Sequence, residues 1–127
     1  MTIYFICAGI LGLLAGILTL NVGRLRGKKR INLGDGGDPE MIAAVRAHGN
    51  LVELTPLILL LIYVAHGPYG ERPVAALSIL LVLARLLHAG GMLGFVPAGR
   101  VIGAVSTTIL IIVVSVMLIV AALRIGL

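Results

Sequence analysis

Arg46, Asn50 and Glu53 follow one another at intervals of four and three residues. In a helix this spacing puts all three on one narrow stripe. Arg85 and His88, three residues apart, share a helix face for the same reason, and Arg24, His48 and Arg100 supply further polar groups elsewhere in the chain. Guanidinium forks pair carboxylates bidentately, an asparagine amide both donates and accepts, and a single carboxylate accepts from an ammonium. The set therefore suits a small ligand with more than one carboxylate and an amine. An arginine beside a thiol also favours its ionised form, and the thiolate is the nucleophile.

The elements that position these groups follow from composition. The chain has 127 residues, 60% hydrophobic and only 12% charged, too little polar surface to coat a water-soluble globule. Aromatic residues make up 4% and tryptophan is absent, which argues against a barrel with aromatic girdles and against stacking platforms for nucleic acid. The single cysteine, Cys7, cannot form an internal disulfide, and it reads as a small packing residue. His48 and His88 lack a third convergent ligand, so no metal site is expected.

An all-α integral membrane protein with four spans remains, one domain covering residues 1–127. The first span is expected over residues 3–22, long enough to cross the hydrocarbon core and lacking the basic start and small-residue cleavage site of a removable signal. The run Arg24, Arg26, Lys28, Lys29, Arg30 then holds a loop over 24–38 in the cytoplasm and leaves the N-terminus outside. A glycine turn at Gly34-Asp35-Gly36-Gly37 leads to Asp38 as N-cap, Pro39 at the first helical position and Glu40 in the first turn. Span two runs over 39–66, with Pro56 expected to bend it, and residues 67–73 form an external turn. Span three covers 74–92, a glycine-rich connector follows, and span four covers 100–123 with the C-terminus outside. Ala8, Gly12 and Gly16 in span one, and Gly99 and Gly103 at span four, have spacings that let helix backbones approach closely.

With this topology Arg24, Arg46, His48, Asn50, Glu53, Arg85, His88 and Arg100 lie at one membrane level. The opposite side carries few polar groups, so a single polar site opening to the cytoplasm is expected. Glutathione has the inventory such a site would take. A structural alternative stands beside it: Arg46 and Glu53 as an intramembrane ion pair, with Arg85 reaching for the headgroups. His48 lies about 200° from Arg46 on the helical wheel and points toward another surface.

Arg46-Ala47-His48-Gly49-Asn50-Leu51-Val52-Glu53-Leu54-Thr55-Pro56 resembles the R-A-x-x-N-x-x-E-x-x-P signature of the MAPEG family, the membrane-associated proteins in eicosanoid and glutathione metabolism. Arg24-Leu25-Arg26, Arg85-x-x-His88 and Arg100 extend the likeness over nearly the whole chain, and the Gly34–Gly37 turn is similar to that of short bacterial members. The resemblance implies a left-handed four-helix bundle assembled as a homotrimer, with glutathione bound between subunits near the cytoplasmic face. It further implies that Arg46, Asn50 and Glu53 bind the glutathione backbone, that Arg24 and Arg85 add carboxylate contacts, and that Arg100 stabilises the thiolate. His48 and His88 are counted with the glutathione-binding residues. Catalytic relatives often carry tyrosines where this chain has Leu54 and Met92.

The leading expectation is a glutathione-dependent transferase or peroxidase of the bacterial inner membrane, acting on lipophilic electrophiles that enter from the bilayer. A non-catalytic membrane binding or scaffold protein is the alternative, favoured by the two missing tyrosines. A small proton-coupled multidrug exporter has similar length and span number, but such proteins resemble bundles with an acidic residue in helix one, and helix one here has none.

Overall fold

A computed structural model describes residues 1–126 as four helices: α1 (Thr2–Lys29), α2 (Pro39–Tyr69), α3 (Glu71–Met92) and α4 (Gly99–Ile125). All four are long and apolar enough to cross a membrane. No strand occurs among the described residues.

The helix starts obey local chemistry. Asp38 caps α2 by accepting a hydrogen bond from the Met41 backbone N–H at 2.9 Å, and Pro39 follows where its missing N–H costs nothing. At the other end of the same loop, α1 continues seven residues past the expected limit, through Lys29. Three basic side chains in its last turn favour the negative end of the helix dipole. Arg26 Nη1 also donates to the carbonyls of Ile31, Asn32 and Gly34 at 3.3, 3.3 and 2.9 Å, folding the chain back over the helix end. The basic run is thus mostly helix, and the loop is short.

The junction of α2 and α3 is also tighter than the expected seven-residue turn. Only Gly70 separates the helices, with φ 76°, ψ −169°, a conformation open to glycine but not to residues with a side chain. Pro73 falls in the first turn of α3, where proline is tolerated.

Helix α3 is the interior element. It packs against α1, α2 and α4, whereas α1 and α4 do not meet among the described residues. Half of the apolar stretch of α3 is buried, against 17% for α1 and α4. The core runs along it through Val74, Leu81 and Ala84, with Cys7, Leu11, Ile58, Ile62 and Val114 closing from the neighbours. Large apolar side chains such as Leu13, Ile17 and Leu20 project outward, the pattern of a bundle solvated by lipid.

Small residues divide by helix. Gly99 and Gly103 are buried, and a Cβ added to Gly103 would lie 2.5 Å from the Ala84 carbonyl and the His88 backbone nitrogen. The α3–α4 seam therefore depends on the missing side chain, as small-residue packing in lipid requires. Gly12 and Gly16 of α1, in contrast, face open space, so within one chain they make no close contact.

Candidate functional site

Arg85 anchors the polar end of the bundle. It sits on α3 at 1% exposure and is the largest fully buried side chain. Its Nη2 donates to Asn50 Oδ1 of α2 at 2.5 Å, and Nη1 donates to Thr107 Oγ1 of α4 at 3.2 Å. Thr107 in turn donates to the Gly103 carbonyl at 2.7 Å. One guanidinium, held by neutral hydrogen-bond partners and not by a carboxylate, thus ties three helices together. Nη2 also lies 3.4 Å from His88 Nδ1. Arginine can only donate, so Nδ1 accepts and the imidazole proton resides on Nε2.

Beside this hub is a cavity of about 360 Å³ lined by Ile42, Arg46 and Asn50 of α2, His88 and Met92 of α3, and Arg100 of α4. Arg46 and Arg100 are exposed and reach its mouth, while His88 is buried in its wall. Ion pairs among the described residues join Met1 to Glu71 and Lys29 to both Asp38 and Glu40. None involves Arg46, Arg85 or Arg100. The cavity is therefore cationic, with donors on every polar side, and its chemistry suits an anion. The N-terminal end of α4 at Gly99 adds positive potential beside Arg100.

Four of the eight residues read from the sequence, Arg46, Asn50, His88 and Arg100, line this cavity, and Arg85 stands directly behind it. Arg85 turns both Nη atoms to protein partners and so fixes Asn50 and His88 in place, while its buried Nε has no hydrogen-bond partner among the described residues. Three residues lie elsewhere within the protomer. Glu53 is exposed on α2; it is about 60° from Asn50 on the wheel, enough to turn it from the side covered by α3 to the uncovered side. His48 donates from Nε2 to Thr19 Oγ1 of α1 at 3.0 Å, since the Thr19 hydroxyl hydrogen is given to the Ala15 carbonyl. Arg24 lines a different cavity and donates to Asn21 Oδ1 at 3.0 Å. Within a single protomer five of the eight groups thus come together, and Glu53, His48 and Arg24 face other surfaces.

Thr107 and Met92 carry parts of the site that residue type alone did not indicate. Thr107 follows Arg100 by seven residues, two helical turns, so the same-face rule would have found it. Met92 lines both the cationic cavity and the one containing Arg24.

A family model described as MAPEG family matches residues 4–120. The chain is also 36% identical over 74 residues to the inner membrane protein YecN of Escherichia coli, in strain K12 and in strain O6:H1 alike. That stretch covers 58% of this chain and 56% of the relative, so the likeness spans little more than half of either protein.

Proposed function

The chain belongs to the MAPEG family, and from that premise we propose that it is an inner-membrane glutathione-dependent transferase or peroxidase acting on lipophilic electrophiles. The observation that carries this reading is the cationic cavity: Arg46, Arg100, Asn50 and His88 converge around about 360 Å³ with no acidic partner among the described residues. An anionic tripeptide fits that donor set. Arg46 and His88 Nε2–H are suited to its carboxylates, and Asn50, held by Arg85, presents a fixed amide. Glutathione supplies the sulfur nucleophile. Arg100, permanently charged and at the start of α4, lowers the cost of negative charge beside it. By the positive-inside rule this end faces the cytoplasm, and the apolar flanks of the bundle admit a second substrate from the lipid.

The homotrimer that the family resemblance implies supplies what one protomer lacks. Glu53 is an exposed carboxylate between the exposed apolar residues Val52 and Leu57, a placement lipid does not accept without a covering partner. A neighbouring subunit on that face would give Glu53 a polar partner and the ligand ammonium an acceptor.

Mixing purified protein with glutathione is expected to produce the ultraviolet absorbance of a thiolate, and Arg100→Ala to abolish it. An ordinary thiol spectrum in the intact protein would remove the catalytic reading. A second reading, binding without catalysis, is favoured by Met92, whose thioether lines the cavity where catalytic relatives often carry a phenol donor. Turnover of a panel of lipophilic electrophiles or hydroperoxides, lost with Arg46→Ala, would exclude it.

A further inference from the structure

The cationic cavity offers hydrogen-bond donors on every polar side, yet none of the groups lining it can hand over a proton. Arg46 and Arg100 are guanidinium ions, which do not deprotonate in proteins. Asn50 presents an amide, a donor and not an acid. His88 alone is of a type used for acid catalysis, and its setting removes that role: Nδ1 accepts from Arg85 Nη2 at 3.4 Å. A second ring proton would have to sit on Nδ1 and face a guanidinium N–H, so the imidazolium form has no place. The neutral ring keeps its Nε2–H, which hydrogen-bonds without leaving. Ile42 and Met92 complete the lining and carry no proton to give.

Groups with transferable protons lie elsewhere among the described residues. Tyr4 and Tyr69 give their hydroxyl hydrogens to the carbonyls of Leu59 and Met117 at 3.0 and 2.6 Å. Tyr63 follows Asn50 by thirteen residues, about 20 Å along α2. Cys7 is buried in the apolar core, and Lys29 is held by Asp38 and Glu40 at the end of α1. Arg24 and Glu53, which the family resemblance adds to the site, do not change the inventory. One is a further guanidinium; the other, as acceptor for the ligand ammonium, is already ionised.

We propose that the site is built for displacement and not for reduction: its second substrates are lipophilic electrophiles whose leaving group departs as a stable anion, aryl halides above all, and hydroperoxides are poor substrates. This rests on the thiol site proposed above. In displacement the thiolate sulfur forms a bond to carbon, the carbon–halogen bond breaks, and its electron pair leaves with the halide. No proton enters, and one negative charge passes from sulfur to halide inside a cavity whose guanidinium ions favour it at both positions. In hydroperoxide reduction the sulfur takes the terminal oxygen, the O–O bond breaks and an alkoxide leaves. An alkoxide is a strong base, and it departs readily only when a positioned acid delivers a proton to it. Such an acid contributes about 10²–10⁴-fold, and that is the factor this cavity forgoes.

The test uses full-length protein in detergent. Rates with chlorodinitrobenzene and with cumene hydroperoxide are each divided by the uncatalysed rate with glutathione, and the enhancement for the halide should exceed that for the hydroperoxide about 100-fold. Met92→Tyr places a phenol in the cavity wall and should lower this ratio about tenfold. His88→Gln should leave the ratio where it stands; a rise of about 100-fold would identify His88 as an acid and overturn the proposal. Nitrogen NMR of protein carrying isotope-labelled histidine, assigned by replacing His48 and His66 in turn, serves where the site variants fail to fold. His88 should show a proton on Nε2 and none on Nδ1 at neutral pH, and a proton on Nδ1 would overturn the proposal. The thiolate absorbance separates the two levels. Without it the thiol reading fails and this inference falls with it, whereas a thiolate accompanied by equal enhancements, or by a ratio that Met92→Tyr does not move, overturns this inference alone.

Discussion

Replacing Gly103 by alanine tests whether the α3–α4 seam positions the cationic cavity. The new Cβ would stand 2.5 Å from the Ala84 carbonyl and the His88 nitrogen, both backbone atoms that cannot rotate aside. Ordinary contact begins near 3.4 Å, so α4 must withdraw by about 1 Å, a gap that forfeits a quarter to a half of the dispersion well of each contact along the seam. Overpacking of this kind costs about 1–3 kcal/mol, which corresponds to a fall in Tm on the order of 3–10 °C. Thr107 moves with α4, so the 3.2 Å bond from Arg85 lengthens and Arg100 shifts relative to Arg46. Gly12→Ala is the matched control, because nothing lies within 4 Å of its added methyl. Unfolding of both variants should be followed in detergent by circular dichroism, together with glutathione titration. Gly103→Ala should lose both stability and affinity while Gly12→Ala loses neither. Equal stability of the two variants, or intact affinity in a destabilised Gly103→Ala, would refute the reasoning.

Thr107→Val preserves shape but removes the acceptor for Arg85 Nη1, leaving a buried guanidinium N–H unsatisfied; chemical unfolding should show a loss of about 1–3 kcal/mol. Tyr69→Phe deletes the hydroxyl that donates to the Met117 carbonyl at 2.6 Å and fastens the end of α2 to α4, and should cost about 0.5–1.5 kcal/mol in the same assay. The Asp38 carboxyl is held below its ordinary value by its hydrogen bond to Lys29 and then by the Met41 N–H. A depressed folded-state value means that the cap contributes fully above the ordinary aspartate pKa, about 3.9, and is lost as pH falls through the depressed value. Hydrogen exchange at the Met41 amide should therefore stay protected down to that range and open below it, and Lys29→Met should move the opening to higher pH. An exchange profile unaffected by Lys29→Met would count against the pairing.

The spans were legible because hydropathy and length suffice for them, and the start of α2 because Asp38-Pro39-Glu40 is a local signal needing no neighbours. The ends of α1 and α2 were less so. Arg26 stabilises the last turn of α1 by reaching carbonyls five to eight residues ahead, and no charge count anticipates that geometry. In the site, spacing correctly put Asn50 with Arg46 and His88 with Arg85, since each pair depends on one helix alone. Which side of α2 is covered depends on where α3 lies, so the 60° between Asn50 and Glu53 became a boundary between interior and surface. His48 and Arg24 diverge for the same reason: both belong to the right level, and level does not fix direction. The role of Gly103 was legible from its spacing with Gly99, but the identical spacing of Gly12 and Gly16 shows that small residues announce close approach without naming the partner.

Met92 is a party wall between two rooms, one cationic and one amphiphilic. An unbranched thioether with three rotatable bonds yields readily, so a guest in either room takes volume from the other. Linkage makes such an effect mutual: whatever filling one room does to affinity in the other, filling the other does in return by the same factor.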